Sequence, residues 1–108
     1  MKKVYIAGPY TNGNVEQNVF NAINVASNLI EFGLAPYCPH LSHYIEIQRS
    51  VDWKTWLYID LEYLKVCDYL IRIDGYSIGA DIEVKFAKEN NIKVFNSILD
   101  LKKYLETI

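Results

Sequence analysis

The stretch Tyr69-Leu70-Ile71-Arg72-Ile73-Asp74-Gly75-Tyr76-Ser77-Ile78-Gly79-Ala80-Asp81-Ile82-Glu83 reads as a strand, a loop and the start of a helix. Its apolar run, Tyr69 to Ile73, breaks at Asp74-Gly75 and restarts near Gly79 with helix formers. A strand that turns directly into a helix is the repeating unit of an open α/β sheet. In such sheets ligands bind at the loops that follow the strands' C-terminal ends. The pattern places Glu83 in the first turn of the helix, where unpaired backbone N–H groups favour an anion. A carboxylate held ionised there suits a nucleophile, and it is equally what helix capping prefers.

Upstream, Val4 to Ala7 reads as a buried strand running into a Gly8-Pro9 turn. After the loop Gly8 to Asn14, apolar residues fall at Val15, Val19, Ala22, Ile23, Ala26, Leu29 and Ile30. That spacing predicts a helix with one buried stripe, and Gly33 stands where its C′ glycine belongs. Leu34 to Cys38 is a second strand, pushed toward a sheet edge by Pro36 and Pro39. Pro39 to Ser50 has no period and is expected to be irregular. Asp52 is the expected N-cap of a helix running to about Val66, with a third strand over Tyr69 to Ile73. A helix from about Gly79 to Asn90 and a strand over Lys93 to Phe95 follow. The capping-box signature Ser97-x-x-Asp100 opens a last helix through Leu105. Alternating strands and helices predict an α/β, flavodoxin-like (Rossmann-like) three-layer sandwich on a parallel sheet of about four strands, order 2-1-3-4. Its switch point lies between strands 1 and 3, whose ends carry the Gly8 to Asn14 and Asp74 to Gly79 loops.

With 108 residues the chain can bury one core but not two, so residues 1–108 are expected to form a single domain. A net charge of −2 without a basic run excludes a nucleic-acid polymer or an anionic membrane as the expected partner. No apolar stretch approaches the ~20 residues of a membrane span. Met1-Lys2-Lys3 leads into a strand rather than a signal peptide. Cys38 and Cys67 lie far apart in or beside apolar segments, which fits reduced, buried thiols in a cytoplasmic protein. Nine tyrosines and two tryptophans suit base stacking or a subunit interface, although a small core accounts for most of them.

Three motifs stand in order: Tyr5-Ile6-Ala7-Gly8-Pro9, then Asp60-Leu61 with Cys67-Asp68, then Ser77-x-Gly79-x-x-x-Glu83. Together they make the chain similar, from Lys3 to about Val94, to the nucleoside 2-deoxyribosyltransferase family and its relatives, the 2′-deoxynucleoside 5′-monophosphate N-glycosidases. The resemblance implies that Glu83 attacks the anomeric carbon of a deoxyribosyl group to give a covalent glycosyl-enzyme. Asp60 then manages the proton of the leaving base or orients the sugar, and Tyr5 positions Glu83 through its hydroxyl. Gly8, Ser77 and Gly79 would hold sugar and phosphate, Pro9 and Tyr10 would join them in binding substrate, and no metal or organic cofactor is required. The transferases tend to carry an acidic residue at the position of Ser77, whereas the monophosphate N-glycosidases carry serine, which leaves room for a phosphate dianion. The implied substrate is therefore a 2′-deoxyribonucleoside 5′-monophosphate, with base exchange on a nucleoside as the alternative.

Plainer readings stand beside these. Tyr5 is by default a core aromatic, and Asp60 belongs to a solvated helix face as readily as to a site, although aspartate is a poor interior helix residue. Ser77 reads equally as a generic loop serine. The Gly8 to Asn14 loop is either an ordinary turn or a cradle for a sugar or phosphate; it lacks the lysine and the glycine spacing of the nucleotide-binding loops. The pair His40-x-x-His43 invites a metal but has no third clustered ligand. The resemblance instead implies a base contact for His43, because a polar residue follows a similar proline there. Family sites lie near subunit contacts, so a homodimer or larger homo-oligomer is expected, with Trp53, Tyr58 and Tyr63 as candidate interface residues. The chain ends soon after the fourth strand, without the segment by which family members complete a neighbour's site; a more open pocket, and a non-catalytic nucleotide-binding module, follow as a further alternative.

Overall fold

The computed structural model describes residues 1–108. Four parallel strands, β1 (Lys3–Ala7), β2 (Ala35–Tyr37), β3 (Tyr69–Arg72) and β4 (Lys93–Phe95), form one sheet in the order β2-β1-β3-β4. The expected topology is the observed one. Successive strand side chains point to opposite faces, and both faces are apolar. Val4, Ile6, Tyr69 and Ile71 pack with Ala22 and Leu29 of helix α1 (Val15–Glu31) and with Leu101 of the last helix, α5 (Ile98–Leu105). Tyr5, Ala7 and Leu70 pack on the other face with Leu64 of α3 (Trp53–Leu64) and with Ala80 and Ala87 of α4 (Ile78–Glu89). The sheet is thus the middle of three layers, and Tyr5 faces the side that carries α3 and α4.

Local chemistry sets the helix ends. Asn14 caps α1 by accepting from the Gln17 amide at 2.9 Å. At the other end the Gly33 and Leu34 amides return to the carbonyls of Ile30 and Leu29, a Schellman closure with Gly33 at C′. β2 is an edge strand, which tolerates the missing N–H of Pro36. Cys38 and Cys67 are buried free thiols.

Three expectations require correction. Pro39 to Ser50 is not irregular: a 3-10 turn over Pro39–Ser42 leads into a short helix α2 (His43–Gln48). None of the α2 residues is buried, so the segment carries no apolar stripe for periodicity to register. Asp52 does occupy the N-cap of α3, but its side chain makes no capping hydrogen bond, and the helix ends at Leu64 rather than near Val66. Glu83 is not in the first turn of α4. Ser77 is the N-cap, its Oγ accepting from the Ala80 amide at 3.1 Å, so the helix starts at Ile78 and the first-turn acid is Asp81. Glu83 falls one turn deeper, beyond the unpaired amides.

Candidate active site

The loops after β1 and β3 meet at the switch point in near backbone contact. A Cβ on Gly8 would stand 2.8 Å from Ile73 Cβ, and one on Gly75 would stand 2.7 Å from the Pro9 ring. Any larger residue at either position would push the loops apart. Asn18, near the start of α1, donates to the carbonyls of Tyr10 and Asn12 at 2.9 and 2.8 Å and ties down the first loop. Arg72 ties down the second, donating to the Ile73 and Gly75 carbonyls and pairing with Asp81 at 3.0 Å. Between these loops, α2 and α3 lies an open cleft of about 980 Å3.

Glu83 and Asp60 open into this cleft from facing helices, α4 and α3. Glu83 is 6% exposed, and the buried Tyr5 hydroxyl donates to its carboxylate. Burial pushes the Glu83 carboxyl up to about 8; the Tyr5 hydrogen bond and the Arg72 charge oppose the rise, and the Asp60 charge adds to it. Burial alone pushes Asp60 up to about 7. Two carboxyls in one desolvated cleft cannot both ionise cheaply, so near neutral pH they share a proton and titrate as a pair. The Tyr5 phenol, itself held protonated by burial and by the nearby Glu83 charge, stabilises the ionised form of Glu83 and offsets part of the rise that burial causes.

The α3 wall presents Trp53, Trp56, Leu57 and Asp60, a run at helical spacing. Opposite Trp56 stands Glu46 of α2, which the sequence does not mark. Its carboxylate accepts from the Trp56 indole N–H at 2.8 Å, the Val51 amide at 3.0 Å and the Ser50 hydroxyl at 3.1 Å. The indole bond first, and the amide next, hold its carboxyl below the usual range. Glu46, Asp60 and Glu83 are joined by no lysine or arginine in the cleft lining.

Of the residues singled out from sequence, Gly8, Tyr10, Ser77, Gly79, Asp60 and Glu83 line the cleft, and Tyr5 lies behind Glu83. Pro9 and His43 do not line it. Pro9 is buried under the loop contact and accepts from His40 through its carbonyl at 2.9 Å. His43 turns its Nδ1 to the Tyr10 hydroxyl at 2.7 Å, so it braces the first loop instead of facing a base. The histidine in the wall is His40, 5% exposed and depressed in basicity by burial. Ser77 accepts from Ala80, which leaves its hydroxyl proton free to donate into the cleft. His40 and His43 are engaged separately, and no three His, Cys, Asp or Glu side chains gather to hold a metal ion.

A family model described as a domain of unknown function, DUF7768, matches residues 2–97. The chain belongs to this family. No curated protein matches the DUF7768 chain. Among solved structures it is similar to a 2-deoxyribosyltransferase from Bacillus psychrosaccharolyticus, with TM-score 0.64 and 24% identity over 89% of this chain and 75% of that one. The likeness establishes the fold that this DUF7768 domain shares, with its four-stranded sheet in the order 2-1-3-4.

Proposed function

We propose that the protein breaks the N-glycosidic bond of a 2′-deoxyribonucleoside through a covalent intermediate on Glu83. The observation that carries this reading is a buried carboxylate, hydrogen-bonded by Tyr5, opening beside a second carboxyl into an aromatic cleft. A Glu83 oxygen attacks the anomeric carbon as the carbon–nitrogen bond breaks, and the bond's electron pair leaves with the base. The Asp60 proton passes to that base. Water next attacks the anomeric carbon, Asp60 takes the water's proton, and Glu83 is released as a carboxylate. Tyr5 stabilises the ionised form of Glu83, which is the form that attacks. Transfer to a second base replaces the water step in the other reading, which the fold shared with a 2-deoxyribosyltransferase supports.

The 5′-monophosphate implied by Ser77 is favoured by the free Ser77 hydroxyl proton at the start of α4. The absence of lysine and arginine from the lining and the Glu46 charge favour the uncharged nucleoside. Incubation with a panel of deoxynucleosides and their monophosphates, with free base as the readout, tests all of this. Base release without an acceptor is hydrolysis, and release only with a second base present is transfer. No release from any substrate overturns the proposal and leaves a binding module. Ser77→Asp should lower the monophosphate-to-nucleoside ratio of kcat/KM at least tenfold, about 1.4 kcal/mol, if the phosphate sits at Ser77; an unmoved ratio removes that assignment.

A further inference from the structure

From the reacting bond outward, the cleft wall runs Asp60, Trp56, Glu46. Asp60 and Trp56 are one helical turn apart on α3, and the Trp56 indole N–H is 2.8 Å from Glu46. A leaving base within reach of Asp60 therefore lies against Trp56 with its far edge toward Glu46. The Glu46 carboxylate offers about four lone-pair positions; the Trp56 indole, the Val51 amide and the Ser50 hydroxyl occupy three. Those donors fix the carboxylate's orientation and leave one acceptor position for a ligand. We propose that Glu46 is the residue that selects the base, accepting a hydrogen bond from an exocyclic amino group and so favouring cytosine- and adenine-type bases over their keto counterparts.

This rests on the glycosidase reading for where the base lies. A keto oxygen brought to the same place meets a carboxylate with no proton to share, so the selection comes from repulsion as well as attraction. The neighbouring walls cannot reverse it, since no lysine or arginine lines the cleft to offer a keto base a charged donor.

The test uses free bases as probes, so that it does not depend on turnover. Cytosine against uracil, and adenine against hypoxanthine, are titrated calorimetrically into the native protein, Glu46→Gln and Trp56→Phe. The native protein should bind the amino member of each pair at least tenfold more tightly. Glu46→Gln, whose amide donates, should cancel or reverse the preference. Trp56→Phe releases the carboxylate from its strongest tether and should reduce the preference without reversing it, which keeps a second readout if the first variant folds poorly. Equal binding within both pairs, no measurable binding of any base, or a preference unchanged in Glu46→Gln overturns the assignment. Amino preference in a protein that cleaves no nucleoside would sustain Glu46 while removing the glycosidase reading; cleavage without preference would do the reverse.

Discussion

Replacing Glu83 by glutamine should stabilise the protein, by an amount that depends on pH. The carboxyl, 6% exposed, is raised from its ordinary value of 4.5 to about 8, chiefly by burial. A group with a raised folded pKa is bound to its proton more tightly in the native state, so wild-type stability falls as pH rises from the unfolded value to the folded one. Each pH unit across that window is about 1.4 kcal/mol. At pH 7 the unfolded chain is ionised while native Glu83 is mostly protonated, a penalty on the order of 3 kcal/mol. At pH 5 the penalty is under about 1 kcal/mol, and above pH 8 it levels near roughly 5 kcal/mol. The substituted glutamine retains an oxygen to accept from Tyr5 and carries no charge, so the variant escapes the penalty. Water entering through the open cleft makes these figures upper bounds. Urea denaturation of both proteins at pH 5, 7 and 8.5 measures the difference, and at pH 7 the melting temperature should rise by roughly 10 °C. A difference that stays flat with pH, or a less stable variant at pH 7, would refute the claim that ionising Glu83 in this site is opposed by its desolvation.

Two further outcomes concern the reaction. Tyr5→Phe removes a hydrogen bond to a charged acceptor, worth about 1.5–3 kcal/mol, so the acid limb of the pH–rate profile should move upward by about one to two pH units. A profile that stays in place shows that Tyr5 is only a core aromatic. Asp60→Asn should slow cleavage most for poor leaving bases, which need the proton most; uniform slowing across a leaving-group series would confine Asp60 to orienting the sugar.

Much of this architecture is legible in the sequence because both faces of the sheet are buried. Val4 and Ile6 serve one layer and Tyr5 and Ala7 the other, so the short strands read as unbroken apolar runs. Helix α1 declares itself through Val19, Ala22 and Leu29, which meet the core at helical spacing. Helix α2 does not, because a short helix whose side chains all stay at least partly exposed leaves no stripe. The same gap hides Glu46, whose partner Trp56 stands ten residues on and is reached only through the fold. His43 escapes its expected place because the 3-10 turn at Pro39–Ser42 rotates His40 into the wall and carries His43 out to Tyr10. For Glu83 the sequence pattern finds the right helix and the wrong turn: the capping serine, not Gly79, decides where the helix begins.

The central claim is the bond between Glu83 and the sugar, and trapping it is the most direct measurement. A 2′-deoxy-2′-fluoro nucleoside with a good leaving base slows the oxocarbenium-like steps, the second more visibly than the first, so an intermediate accumulates. Mass spectrometry of the digested protein should then show one fluorosugar on the peptide containing Glu83, absent from the Glu83→Gln variant. Base released with no adduct at any time, or an adduct on Asp60 instead, would contradict the account.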